Sequence, residues 1–362
     1  MPCRLLRMFS LPPAIRMEPI DARIVAAVQA DARASYAQLA TMVGVSESTA
    51  MRRLQRLRSS GEVVVIGVID AQRCGLGRPV LVQLRTEPGY TLHVAQTVAA
   101  RTDVRFLTLV SGRSDIICEL IVRDRRHLVM TLLEELPRID GITSTSTAAV
   151  LRTYKSRDEW SRVLLAALLP TSAPASSSDA GLRTPKMDHL DLALISALGQ
   201  DGRRSYVDLA SELRLSETAV ARRLSTLLAG KQLALATLVD PPALGFEVEA
   251  FLRLRVDLAA ADTVATLLAS RTEIRYVSAT AGYSDIVCEA VLRDNDALHE
   301  FMTGTLGNLR GVRDLEIDLQ LQTMKRSFRQ LKFHAAANSA LGESPERNGL
   351  MSYPDRVTGS RP

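Results

Sequence analysis

The octapeptide GRSDIICE, from Gly112 to Glu119, returns as GYSDIVCE from Gly282 to Glu289, an offset of 170 residues. The same offset pairs Asp21 with Asp191, Ser35 with Ser205, Asp70 with Asp240, Asp124 with Asp294 and Gly141 with Gly311. It also pairs Arg52-Arg53-Leu54 with Arg222-Arg223-Leu224, with no insertion from Met17 to about Lys155. Solenoid repeats are much shorter, because one of their units cannot bury a core alone; a unit of roughly 140 residues can. The chain is a tandem duplication, so whatever one copy folds into the other must also be able to adopt.

Composition narrows the classes. With 46% hydrophobic and 23% charged residues in 362, the chain reads as a soluble, cytoplasmic protein of several domains. No apolar run approaches the 18 or so residues that cross a bilayer, so no membrane partner is expected. Four cysteines and five histidines show no ligand spacing, which predicts no metal, no cofactor and no disulfide framework. Cys118 and Cys288 lie in equivalent apolar runs and are expected as buried, reduced thiols.

Within copy 1, Ile20, Ile24 and Val28 recur every four residues and predict a helix with one apolar face. Ser35 caps a second short helix, Gly44 turns the chain, and Ser46 with Glu47 opens a third helix running to about Ser59. Two helices joined by a short turn, the second amphipathic and arginine-rich, make a helix-turn-helix. The β-branched EVVVIGVID that follows is expected as a wing. The next 85 or so residues read β-α-β-β-α-β, a ferredoxin-like sheet with helices on one face only. A sheet bare on its other face needs a partner, which predicts pairing of the two sheets, in one chain or between chains, by covering those faces.

The predicted fold class is α+β, with a winged helix-turn-helix and a ferredoxin-like (RAM/ACT-like) domain in each copy. The boundaries are 17–66 and 67–155, then 187–236 and 237–327. Residues 1–16 are expected as a disordered extension. Residues 156–186 form a Pro- and Ser-rich linker with room for a short helix, and residues 328–362 an unordered tail.

A helix-turn-helix reading S-x-x-x-[AV]-x-x-R-L-x-x-L, at Ser46 to Leu57 and Ser216 to Leu227, precedes a β-α-β-β-α-β domain with a central G-x-x-D. This order resembles the Lrp/AsnC transcription regulators, across Met17–Lys155 and Met187–Lys325. The resemblance implies double-stranded DNA as partner, a small-molecule effector, usually an amino acid, and homo-oligomers. It also implies an effector site at Gly112, Ser114 and Asp115 with Gly282, Ser284 and Asp285; serine stands at 114 and 284, where the family often has an aromatic. Read locally, the same glycines and aspartates simply build the turn between two strands.

For DNA, helical phase turns Ala50, Leu54 and Leu57 inward and Ser48, Arg52, Gln55 and Arg56 outward. Thr218, Arg222, Ser225 and Thr226 take the outward positions in copy 2. Arg reads guanine and Gln adenine in the major groove, while Ser46, Thr49 and Ser216 suit phosphate contacts. Arg53 and Arg223 lie at the edge of the buried face, where a phosphate or structural role is expected. Residues 17–155 carry 18 Lys and Arg against 14 Asp and Glu, and residues 187–327 carry 15 against 20, so the first head is expected to read DNA more strongly. No catalytic residues are identified: GRSDI lacks the last glycine of a nucleophile elbow, and no P-loop or G-x-G-x-x-G is present. The chain is therefore expected not to be an enzyme. The alternative to a regulator is a sensing or assembly protein whose helix-turn-helices have lost DNA.

Overall fold

The computed structural model describes residues 15–165, 168–169 and 187–331. The expected extension up to residue 14, the Pro- and Ser-rich part of the linker and the tail beyond 331 lie outside the described residues.

Copy 1 opens with α1 (Pro19–Ala30), which buries Ile24, Val25 and Val28. α2 (Tyr36–Val43) starts at a capping box: the Ser35 hydroxyl accepts from the Gln38 amide while the Gln38 side chain accepts from the Ser35 amide. α3 (Glu47–Ser59) is capped by Ser46 and buries Ala50, Leu54 and Leu57, one face at i, i+4, i+7. There follow β1 (Val63–Ile69), β2 (Arg78–Thr86), α4 (Thr91–Ala100), β3 (Val104–Ser111), β4 (Ile116–Val122), α5 (Arg125–Met130) and β5 (Ile142–Lys155). Strands β2 to β5 with their two helices are the expected β-α-β-β-α-β. Beyond β5 a short α6 (Trp160–Leu165) falls in the segment read as linker.

Copy 2 repeats the order: α7 (His189–Gln200), α8 (Tyr206–Leu213), α9 (Glu217–Ala229), β6 (Leu233–Val239), β7 (Val248–Val256), α10 (Ala261–Ser270), β8 (Ile274–Gly282), β9 (Ile286–Leu292), α11 (Asn295–Glu300) and β10 (Val312–Arg326). A two-residue β11 (Arg329–Gln330) turns back on β10, inside the segment expected to be an unordered tail. Ile15 is likewise buried and Arg16 pairs with Glu247, within the expected disordered extension. Hydrophobic contact and a sheet edge hold these terminal residues, and neither is visible in their local composition.

The wing is a correction. β1 does not fold back beside its own head; it pairs antiparallel with β6, from Val63 opposite Val239 to Ile69 opposite Leu233. Each copy supplies one strand of a two-stranded ribbon, because an isolated apolar strand must satisfy its backbone groups against another strand, and the other copy offers the equivalent one.

Sheet pairing also differs in kind from a simple stacking of bare faces. Eight strands run β10-β3-β4-β2-β5-β8-β9-β7 and close on themselves through β7 and β10. The long strands β5 and β10 make the joints. Residues Ile142–Ala149 pair with β2 of their own copy, while Ala148–Lys155 pair with β8 of the other. In β10, Val312–Leu319 pair with β7 and Leu319–Lys325 with β3. Closure removes the sheet edges that invite unwanted pairing. The two sheets therefore pair within one chain, by their edges as well as their faces.

All seven residues of β4, and all seven of β9, are buried. Alternate side chains face the helices, as Ile116, Cys118 and Leu120 do in a core with Val94 and Val98 of α4. The others face the opposite sheet, where Leu81, Val110 and Ile117 of copy 1 meet Phe251, Tyr276 and Val287 of copy 2. Burial pushes Cys118 up to about 12 and raises Cys288 further.

Beside this apolar centre lies a buried ionic network. Arg157 ion-pairs with both Glu119 and Glu289, with Nη1 to Glu119 Oε2 at 2.7 Å. Its guanidinium stacks between Phe106 at 4.2 Å and Tyr276 at 3.7 Å. Both pairs are 170-residue equivalents, so one arginine sits on the pseudo-twofold axis between them. Its own equivalent is Ser327. Two arginines would compete for that one place, and a duplicated chain can supply a single arginine where two identical subunits cannot.

Candidate functional site

The face of α3 that points away from the core presents Ser48, Arg52, Gln55 and Arg56 to solvent, and α9 presents Thr218, Arg222, Ser225 and Thr226. At the start of α3, the Ser46 hydroxyl bonds those of Ser48 at 3.1 Å and Thr49 at 2.8 Å and caps the Thr49 amide. Ser216 caps the Ala219 amide in the same way. The positive end of each helix dipole therefore stands beside hydroxyl groups, an arrangement suited to phosphate. Thr226 Oγ1 is spent on the Arg222 carbonyl of its own helix.

The arginines divide into two groups. Arg53 ion-pairs with Glu18 and Asp21, and Arg223 with Asp188 and Asp191, so each ties its third helix to the first helix of its head. Arg56 is exposed, but its Nη2 is 2.5 Å from Asp21 Oδ2 and its Nη1 3.4 Å from Glu62 Oε1. Sequence phase alone placed Arg56 with the outward donors; the neutralising Asp21 comes from α1 and is invisible in α3. Arg52 and Arg222 point outward on equivalent positions.

Both heads face each other through matched contacts. Arg33 donates to the Gly202 and Arg204 carbonyls, and Arg203 to the Ala32 and Ala34 carbonyls. Arg58 adds a two-pronged bond to Asp201.

In the barrel, the two G-x-x-D turns approach one cavity of about 380 Å³. Its twelve lining residues are six equivalent pairs: Gln83 with Arg253, Arg85 with Arg255, Arg113 with Tyr283, Ser114 with Ser284, Ser144 with Asp314 and Ser146 with Glu316. The cavity therefore lies on the pseudo-twofold axis, yet its halves differ in chemistry. Copy 2 supplies the acids; cations come from both. Arg253 holds Glu316 at 3.0 Å and Asp318 at 2.5 Å. Four buried polar atoms on the lining residues have no hydrogen-bond partner: Arg253 Nη2, Gln83 Nε2, Tyr283 Oη and Ser284 Oγ. A buried polar group without a partner costs about 1–3 kcal/mol, so their gathering at one cavity favours a polar ligand there.

Of the expected effector residues, only Ser114 and Ser284 line this cavity. Asp115 Oδ2 accepts from the Thr86 amide at 2.7 Å and Asp285 Oδ2 from the equivalent Val256 amide at 2.9 Å, so both carboxylates brace strand ends. Gly112 and Gly282 are required by close approach: a Cβ on Gly112 would stand 1.8 Å from the Asp318 carboxylate, and one on Gly282 2.3 Å from the Thr147 carbonyl. Both neighbours belong to the other copy. The motif thus permits the copies to join, while Arg253, Gln83, Tyr283 and Glu316 supply polar groups to the cavity. Their signal in the sequence is chemical inequality at equivalent positions on the inner strand faces.

Among the described residues, no helix is long and apolar enough to cross a membrane.

Comparison with known proteins places these parts. The AsnC-type helix-turn-helix domain matches residues 17–58 and 187–228, and the Lrp/AsnC ligand binding domain matches 79–160 and 249–330. An uncharacterised HTH-type transcriptional regulator of Pyrococcus abyssi is 30% identical over 142 residues, covering 39% of this chain and 90% of that protein. An HTH-type transcriptional regulator of Methanocaldococcus jannaschii is 30% identical over 140 residues, covering 38% and 95%. One solved structure, the siroheme decarboxylase NirDL, aligns over 90% of this chain and 100% of its own at a TM-score of 0.59 and 15% identity. That likeness is one of fold, but it overturns the expectation that a chain of this build is not an enzyme: the fold at its full tandem length also carries a decarboxylase. The missing nucleophile elbow and P-loop exclude only the chemistries that use them. With both of its domain types matched twice, the chain belongs to the Lrp/AsnC family of transcription regulators, carrying two complete units in one polypeptide.

Proposed function

We propose that the chain regulates transcription by binding specific duplex DNA with both heads as one unit, and that one small zwitterion per chain, an amino acid or close relative, modulates it. The observation that carries the first part is the presentation of Arg52 and Arg222 on capped, equivalent helices of two interlocked heads. Arg52, Gln55 and Arg222 are the base-reading candidates, Ser46, Ser48, Thr49, Ser216, Thr218 and Ser225 the phosphate-side ones, and Arg53 and Arg223 position the helices. The effector part rests on the axial cavity. Its size falls within the range of small-molecule sites. Arg85 and Arg255 suit a carboxylate, Arg113 being paired with Glu316, and Asp314 suits an ammonium group. Titration of a duplex pool at physiological salt tests the first part. Calorimetry with the amino acids tests the second, with one site per chain expected and two, or none, counting against it.

A second reading is favoured by the tandem build. One solved structure that aligns over this chain's full organisation is the siroheme decarboxylase NirDL, whereas the regulators named above align with a single unit. In that reading the chain removes carboxyl groups from an anionic tetrapyrrole. Incubation with siroheme without oxygen, followed by mass spectrometry, decides it: unchanged siroheme removes this reading.

A further inference from the structure

A second cavity, of about 590 Å³, opens between the β1–β6 ribbon and the barrel. Its walls come from both layers: Val68 to Gln72 after and along β1, Ala234 to Thr237 of β6, Gln29 of α1, and β5 with the segment that follows it. Six cations line it, Arg78, Arg105, Arg152, Arg157, Arg162 and Lys231, against two acids, Asp70 and Asp158.

Some of these charges serve the fold. Arg105 pairs with Glu119, and its equivalent Arg275 pairs with Glu289, so both copies need that contact. Asp70 has an acidic equivalent in Asp240 and Arg162 a basic one in Lys332, but several of the other charges are not repeated. The equivalents of Arg78, Arg152 and Lys231 are Val248, Gln322 and Gly61, and Asp158 corresponds to Phe328. A contact required by the common architecture appears twice; one found on a single side answers to something that side alone does. Arg152 is exposed, lies over the Tyr154 ring at 4.7 Å and pairs with the equally exposed Asp262, an ion pair of little strength in water. Deeper in, Arg157 lines the cavity with its side chain 7% exposed, and its buried Nη2 has no hydrogen-bond partner.

We propose that this cavity binds a compact, multiply charged anion bearing phosphate or carboxylate groups, with Arg78 and Arg152 at its mouth and Arg157 at its floor. Guanidinium groups present paired N–H donors that fit the oxygens of either group. The cavity touches the ribbon that joins the heads to the barrel and α1 of the first head, so an anion held there bridges the two layers. The site is separate from the axial cavity, and the proposal stands whether the chain acts on DNA or on a tetrapyrrole.

The test titrates inorganic tripolyphosphate and, separately, citrate into the full chain at physiological salt, by calorimetry. Wild type is compared with Arg78→Gln/Arg152→Gln, whose side chains are exposed and tolerate change, and with Arg52→Gln on α3. The double variant is expected to bind about tenfold more weakly or not at all, with Arg52→Gln unchanged. Tighter binding of tripolyphosphate assigns a phosphorylated ligand, and tighter citrate a polycarboxylate. Absence of heat with both probes overturns the proposal, as does equal affinity in the double variant. Loss of binding in Arg52→Gln does so too, by placing the anion on the DNA-facing helix.

Discussion

Arg33 and Arg203 each grip the backbone of the other copy. Arg33 donates to the Gly202 and Arg204 carbonyls, both at 2.9 Å, and Arg203 donates to those of Ala32 and Ala34 at 2.8 and 2.6 Å. Every partner is the other's equivalent at an offset of 170. Arg33 also lies over the Tyr206 ring at 4.5 Å, and Arg203 over Tyr36 at 5.7 Å. The lock predicts that Arg33→Ala and Arg203→Ala each cost about 1.5–3 kcal/mol in head stability, the range for hydrogen bonds to charged groups. Hydrogen exchange should report it as faster exchange in α1, α2, α7 and α8, with the barrel unchanged. Unchanged exchange in the heads would show that the bonds hold nothing.

Arg157 makes a different prediction. Removing one partner of a buried ion network leaves the others uncompensated, at a cost of about 3–5 kcal/mol. Arg157→Ala takes one of two arginine partners from each of Glu119 and Glu289, which keep Arg105 and Arg275, so chemical denaturation should show a loss toward the lower end of that range. Arg152→Ala, an exposed arginine on β5 shortly before it, should cost less than about 1 kcal/mol. Similar losses for the two would refute the axial role of Arg157.

The same network sets an acid limit. Burial alone would raise the Glu289 carboxyl; Arg157, Arg275 and Arg326 overcome it and hold the group down to about 2. A carboxylate with a depressed folded value contributes stability that is present above its ordinary value of 4.5 and is lost as pH falls toward 2. Thermal midpoints should therefore decline across that window, and Glu289→Gln should flatten the decline. An equally steep decline in the variant would assign acid sensitivity elsewhere.

Much of one copy was legible in the sequence because its signals are local. Ser35 and Ser46 cap the helices that their positions announce, and the apolar phase of α3 holds at Ala50, Leu54 and Leu57. The relation between copies was less legible. Nothing in VVVIGVI distinguishes a wing from a strand that pairs with LALATLV far along the chain, because both satisfy the same backbone groups. Asp115 and Asp285 read equally as ligand groups or as braces until Thr86 and Val256 are seen to take them. Arg56 read as a DNA donor because Asp21 is distant in sequence and near in space. Of the axial cavity only Ser114 and Ser284 were legible, because most of its other residues are polar singletons on strands that only the offset between copies relates.

The heads are expected to be unequal. Arg214 adopts the left-handed conformation at φ 52° where copy 1 has Gly44 at 75°, which strains the second turn by about 1–2 kcal/mol. Fewer donors flank Arg222 than flank Arg52, and copy 2 carries the acidic excess. Arg52→Ala should therefore weaken DNA binding more than Arg222→Ala, with each lost phosphate contact lowering the salt slope by about 0.9. A larger effect at Arg222, read from titrations across salt concentrations, would reverse the ranking.

The central claim, that one chain reads DNA as a paired unit, is tested most directly by selecting duplexes from a random pool with the full chain at physiological salt. The account predicts enrichment of one site built of two half-sites, and an Arg52→Ala chain that loses about 1–3 kcal/mol together with its preference at one position. A pool that emerges unenriched, or an enriched site that Arg52→Ala and Arg222→Ala bind as tightly as the unaltered chain, would contradict it.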